Sequence, residues 1–331
     1  MHDSALLILV LIFAVIFDFI NGFHDTANAI ATVVSTRVLA PFLAILMAAV
    51  LNFAGALSGT AVAKTIGSGI VGTNVAQEVV VAALIGAIIW NLITWYFGIP
   101  SSSSHGLIGG LIGGGIAQTG LNQVHWNVLQ SKVLVPLIGS PLIGFFAGWI
   151  LMNVLLAIFA RFSPVFVGRF FRRGQVLSSA FMAFSHGSND AQKTMGIITL
   201  ALIAGHQIPA QPFQVPLWVI ILSALAMALG TASGGWRIIH TMGTRLTQLT
   251  PIHGFAAETS AATIIETASR FGFPLSTTHA ISSTILGVGS SKRFKSVRWI
   301  VAKRMIQAWI LTIPTTAFIA YLSYLVLIKF F

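Results

Sequence analysis

Only seven of the 331 residues are acidic, and two of them, Asp25 and Asp190, stand in apolar sequence beside groups that could share their chemistry. Asp25 is flanked by His24, Thr26 and Asn28, and Asp190 by Ser188, Asn189, Gln192 and Lys193. Carboxylate, amide and hydroxyl oxygens gathered in this way suit a cation or a transferable proton. The structural alternative is an aspartate hydrogen-bonded to its own helix end, holding a break in place. Asp18, Glu258 and Glu266 also fall in or beside apolar segments, without a matched partner. An ionisable group in hydrocarbon costs about 2.5 kcal/mol or more, so each such residue is a functional candidate by default.

Two further tracts carry a different chemistry. Gly98-Ile99-Pro100-Ser101-Ser102-Ser103-Ser104-His105 is answered by Gly272-Phe273-Pro274-Leu275-Ser276-Thr277-Thr278-His279. Proline favours a helix start, so each hydroxyl run falls around a first helical turn. Unpaired backbone N–H groups and the positive dipole end lie there, and the hydroxyls add donors. Two such ends facing each other would cage a tetrahedral oxyanion without a fixed positive charge. Alternatively, Ser and Thr only cap helices or pack closely between them. His105 and His279, which close the tracts, could fix the loops or carry a proton. The glycines at 109–110 and 113–115 read as close helix packing, since no Gly-Lys-Ser/Thr follows them.

The elements that must hold these residues are membrane helices. With 56% hydrophobic and 8% charged residues, the chain departs from soluble domains, in which roughly a quarter of residues are charged. A net charge of +11 could suggest nucleic acid, but the basic residues punctuate apolar runs instead of clustering on one face. There is no cysteine, hence no disulfide and no thiolate metal site, and the sequence calls for neither a metal nor a cofactor. Runs of about 20 apolar residues occur near 5–23, 39–63, 79–98, 99–117, 133–160, 176–205, 216–233, 253–269, 272–289 and 305–328. The fourth and ninth, rich in Gly, Ser and Thr, could be re-entrant hairpins, which need protein or a wet cavity around them. The first run reads as a retained helix and not a secretory signal, because Asp3 replaces a basic leader.

With ten crossings and the N-terminus outside, thirteen basic residues fall inside: Arg37, those from Arg161 to Arg173, Arg237, Arg245 and those from Lys292 to Arg304. Four, Lys64, Lys132, Arg270 and Lys329, fall outside, as the positive-inside rule requires. The hydroxyl tracts repeat at an offset of 174 residues, Lys64-Thr65-Ile66-Gly67 is answered by His240-Thr241-Met242-Gly243 after 176, and Asp25 by Asp190 after 165. Three matches in one order indicate a duplication. Five crossings per half would set the second half upside down, a recurring plan of secondary transporters with the site near the midplane. The expected organisation is a first repeat over 1–160, a short basic cytoplasmic linker over 161–175 and a second repeat over 176–331.

On these residues the sequence resembles the PiT family of inorganic phosphate transporters over nearly the whole chain. The family's duplicated Gly-x-x-Asp-x-x-Asn-Ala signature is matched by Gly22 to Ala29 and, more loosely, by Gly187 to Lys193; its Pro-x-Ser-Thr-Thr-His element is matched by Pro274 to His279, with Pro100 to His105 as a serine-rich twin. The resemblance implies an all-α polytopic membrane protein that takes up phosphate. Ser102, Ser103, Ser104, Ser276, Thr277 and Thr278 would bind phosphate, and His24, Asp25, Asn28, Asn189, Asp190 and Lys193 would serve coupling. His105, His279 and Glu258 are candidates for a proton-carrying or structural role. Sodium-coupled members tend to have Asn before the Asp and again three residues after it. Here His24 and Lys193 stand at two of those positions, departures that favour protons over sodium and resemble the bacterial low-affinity branch. Members of that branch are thought to carry neutral metal–phosphate complexes.

The expectation is therefore a proton-coupled phosphate symporter of the inner or plasma membrane, with both termini outside and sodium as the alternative coupling ion. An intramembrane hydrolase is a rival, but it needs one nucleophile held by one base, and every element here occurs twice. A channel is a second rival. Sulfate and arsenate share the tetrahedral geometry, and the sequence leaves a homo-oligomer open.

Overall fold

Apolar runs broken by Gly, Pro and Ser fold as a bundle of helices. The computed structural model describes residues 2–71, 75–291 and 293–330; Lys292 of the basic cluster expected inside lies outside them. Among the described residues every regular element is helical, apart from an isolated bridge between Val71 and Val124. The first half contains α1 (His2–Ser35), α2 (Pro41–Ala56), α3 (Ala61–Gly69), α4 (Gln77–Phe97), α5 (Ser103–Thr119) and α6 (Trp126–Ile158). The second contains α7 (Pro164–Ala204), α8 (Leu217–Ser233), α9 (Trp236–Arg245), α10 (Pro251–Arg270), α11 (Thr277–Ser290) and α12 (Trp299–Leu327).

Each of the ten sequence segments contains a helix, but their ends and roles differ from expectation. By length and apolarity four helices qualify as crossings, α1, α4, α6 and α12. The number is six if each bent pair is one span, α2 with α3 at 68° and α8 with α9 at 62°. The weak fourth and ninth segments are α5 and α11, of 17 and 14 residues, both short of the roughly 20 residues that span hydrocarbon. Residues 101–115 and 274–290 are buried throughout, so protein surrounds them. The basic linker is not a loop beyond its first residues: α7 starts at Pro164, with Ser163 accepting from the Phe166 amide at 3.3 Å, and runs unbroken for 41 residues.

Corresponding elements of the two halves make corresponding contacts. α1 packs against α8 and α2 against α7, while α5 packs against α12 and α11 against α6. Glycine permits the closest approaches: a Cβ on Gly113 would lie 1.9 Å from the Ala317 carbonyl oxygen of α12, and one on Gly287 2.0 Å from the Phe145 carbonyl oxygen of α6. Trp126 and Trp299 open α6 and α12 alike, each donating its indole N–H to the carbonyl five residues earlier, Leu121 at 3.1 Å and Phe294 at 2.9 Å.

The turns before the two short helices are built alike and sit among different partners. Gly98 (φ 63°) and Gly272 (φ 70°) take the left-handed conformation that ends a helix at little cost only for glycine. The Gly98 carbonyl accepts from Thr241, and Arg237 donates to the Tyr96 carbonyl two residues earlier. The Gly272 carbonyl accepts from Thr65, and Lys132 donates to the adjacent Phe271 carbonyl. Lys64, Lys132 and Arg270 thus gather around the second turn, and Arg237 marks the first. Large apolar side chains such as Phe42, Leu46, Ile138, Leu142, Ile150, Ile310 and Phe318 are exposed on the outer surfaces of α2, α6 and α12, the faces that hydrocarbon would cover.

Candidate functional site

The starts of α5 and α11 meet at the centre of the bundle against α1 and α7. At each start the cap is the same: the Ser102 hydroxyl accepts from the His105 amide and the Ser276 hydroxyl from the His279 amide, both at 3.2 Å. These two serines are therefore engaged in capping; Ser103, Thr277 and Thr278 after them face the acids, while Ser104 donates to the Leu275 carbonyl at 3.4 Å. Ser103 donates to Asp25 Oδ2 and Thr277 to Asp190 Oδ2, both at 3.2 Å. Thr278 also reaches Asp25 Oδ1, at 3.5 Å.

The residues three positions after the two aspartates cross to the opposite hairpin. Asn28 donates to Thr277 at 3.2 Å and to Thr278 at 3.0 Å. Lys193 donates to the Ser104 hydroxyl, to Asp190 Oδ1 at 2.5 Å and to the Leu275 carbonyl at 3.1 Å. Those three partners use all the donors an ammonium has. An amide in the first half and an ammonium in the second thus hold the same relation to the two helix starts. Every one of these side chains belongs to a residue no more than 2% exposed, so the centre is closed to both ends of the bundle.

The outer ring fixes the aspartates. His24 Nδ1 lies 2.7 Å from Asp25 Oδ1 and its Nε2 3.0 Å from the Thr94 hydroxyl, which also receives Ser101 at 2.8 Å. His186, which the motif reading passed over, has Nε2 3.4 Å from Asp190 Oδ2 and Nδ1 3.0 Å from Asn52 Oδ1. Its signal was the four-residue spacing to Asp190, which stacks two side chains on one helix face. Asp25, His186 and Asp190 each offer a ligand atom, all within 4.8 Å of one another, a geometry able to seat a cation between the repeated motifs.

Other sequence candidates lie further out. Asn189 turns away from the centre and donates to Ser269 at 2.8 Å and to the Phe273 carbonyl at 3.3 Å, tying α7 to the turn before α11. The His105 and His279 rings face each other at 4.9 Å, and His279 lies 4.0 Å from the Trp309 ring. Glu258 forms a separate buried knot, accepting from Thr32, Ser178 and, at 3.2 Å, Gln175. Glu266 pairs with the exposed Arg270 at 3.0 Å. Beside that pair a cleft of about 450 Å³ is lined by Ser58, Ser188, Gln192 and Ser269, one residue away from Asn189.

Comparison with known proteins places the whole chain in a family. A model of the phosphate transporter family matches residues 21–320. The chain is 47% identical over 325 residues to a Bacillus subtilis protein named "Probable low-affinity inorganic phosphate transporter", covering 97% of each. A Rhizobium meliloti protein of the same name is 47% identical over 321 residues, covering 96% of each. Among solved structures, "The sodium-dependent phosphate transporter" superposes with a TM-score of 0.91 at 27% identity, covering 99% of this chain and 100% of the other.

Proposed function

The chain belongs to the phosphate transporter family, a multi-pass membrane protein and not an enzyme, and from that premise we propose that it imports inorganic phosphate together with protons. The reading is a symporter of two inverted repeats that opens alternately to either side. The observation that carries it is the pairing of two buried aspartates with two helix starts of equivalent construction. Ser103, Ser104, Thr277 and Thr278, with the backbone N–H groups of those first turns, form the donor set for a tetrahedral anion. In the closed state Ser103, Thr277 and Thr278 donate to the two aspartates and Ser104 to the Leu275 carbonyl, and an arriving phosphate takes the bonds over. Ser102 and Ser276 shape the two starts by capping them. Donors of this kind bind modestly, which suits release as well as capture.

Proton coupling is supported by Lys193. Its ammonium is saturated and fixed against Asp190, so a positive charge already stands where Asn28 stands in the first half, and a sodium ion there would meet repulsion. Sodium coupling is the second reading, favoured by the name of the superposable structure. If the cargo is a divalent metal–phosphate complex, Asp25, His186 and Asp190 are the residues that would meet its metal. The chain is assigned to the inner or plasma membrane, with termini outside and the basic residues before and within early α7 in the cytoplasm. The cleft beside Arg270 then opens outward. The offset repeats and the equivalent helix contacts support the inverted arrangement.

Asp25→Asn and Asp190→Asn are each expected to abolish radiolabelled phosphate uptake in cells lacking other phosphate importers, while the protein stays in the membrane. Wild-type uptake by both variants would remove the coupling role.

A further inference from the structure

Asp18 lies seven residues before Asp25 on α1, two turns back and about 10 Å along the axis on the same face. It is fully buried, and neither carboxylate oxygen has a hydrogen-bond partner. The Thr194 hydroxyl faces it without closing to a hydrogen bond, and Asp190 and Lys193 stand beyond within electrostatic reach. Lys193 makes no hydrogen bond to it, because all three ammonium donors are committed to Ser104, Asp190 and Leu275. The other helices packed on α1 bring no cation to this level. α2 and α8 contain no ionisable residue, and α4 contributes Glu78, which faces Tyr324, and the exposed Tyr96. The basic residues of α9 lie at the opposite end, where Arg237 meets Tyr96, while Glu258 of α10 is bonded to Thr32 and Ser178 and His279 of α11 faces His105.

An ionised carboxylate held in low dielectric with no donor is unfavourable, and a neutral carboxylic acid is not. We propose that Asp18 is the residue that carries the co-transported proton, an inference resting on the proton-coupled reading above. On the outward side an Asp18 oxygen takes a proton from water, forming an O–H bond; on the inward side that bond breaks and the proton leaves to water. No electrons are exchanged. The proton removes one negative charge from a core that already holds Asp25 and Asp190, and so favours entry of a phosphate anion. Loss of the proton on the inner side restores the charge and favours phosphate release.

The test uses the full-length protein in proteoliposomes, as wild type, Asp18→Asn and Asp18→Glu, with radiolabelled phosphate. Three fluxes are compared: accumulation driven by a pH gradient, accumulation driven by a sodium gradient, and phosphate–phosphate exchange at equal pH. Asp18→Asn is expected to lose accumulation by about tenfold or more, while its exchange persists and no longer varies with pH; Asp18→Glu is expected to accumulate again. Accumulation by Asp18→Asn equal to wild type overturns the assignment. So does loss of exchange together with accumulation, which would make Asp18 part of the binding framework. A wild-type protein that accumulates phosphate only under a sodium gradient refutes the proton-coupled reading itself, and that result is read from a different arm.

Discussion

Replacing Lys193 by Met keeps most of the side-chain volume and removes one charge from the closed centre. In the wild type Asp190 is fully buried and meets Lys193 at 2.5 Å on one oxygen, with Thr277 at 3.2 Å and His186 at 3.4 Å on the other. Removing one partner of a buried ion pair typically costs about 3–5 kcal/mol. Thr277 and His186 remain, so the lower end, about 3 kcal/mol, is expected for Lys193→Met. At roughly 2–4 °C per kcal/mol for a large domain, the melting temperature of the detergent-purified protein should fall by about 6–12 °C. Asp190→Asn in the same chain removes the stranded charge, so the double variant should recover most of that loss, with a coupling of about 2–3 kcal/mol between the two positions. A differential scanning measurement on the four proteins of this cycle reads both quantities. A Lys193→Met protein that melts with the wild type, or a double variant that falls by the sum of the singles, would refute the ion pair as a stabilising element of the closed centre.

Ser103→Ala and Thr277→Ala each remove one of two equivalent donors. Both should raise the KM for phosphate uptake by about tenfold, the value of one hydrogen bond to a charged group; a large effect of one with none of the other would argue against a cage shared by both hairpins. Gly113→Val should prevent accumulation of folded protein, because a Cβ there lies 1.9 Å from the Ala317 carbonyl oxygen and α5 would be pushed off α12. Gly139→Ala, whose Cβ meets nothing within 4 Å, should be harmless or stabilise the helix by about 1 kcal/mol; yields on size-exclusion chromatography separate the two.

The local starts of α5 and α11 were legible because Pro, the hydroxyl run and the preceding Gly each carry a specific backbone consequence, and all three recur after 174 residues. Asp25 and Asp190 were legible because an acid in apolar sequence is costly and these two are matched. The division of labour within the hydroxyl tracts was not, since capping by Ser102 and Ser276 depends on which residue turns out of the helical conformation. Asn189 read as part of the site because it neighbours Asp190, yet adjacent residues on a helix point about 100° apart, and its amide faces Ser269 instead. The charges from Arg161 to Arg173 suggested a link, although Ser163-Pro164 is a cap followed by a first-turn proline and starts α7. The breaks between α2 and α3 and between α8 and α9 lie at Ser58-Gly59 and Gly234-Gly235. Hydropathy averages over the first break, so the run 39–63 crossed it into α3; the second break ended the run 216–233, and the less apolar α9 beyond it was left out.

The central claim is that phosphate movement is powered by protons. Purified protein in proteoliposomes, loaded to impose a pH gradient alone, a sodium gradient alone or neither, reports it through the accumulation of radiolabelled phosphate. The account predicts accumulation above equilibrium with the pH gradient only, collapsing on addition of a protonophore. Accumulation that follows the sodium gradient and ignores the protonophore would contradict it.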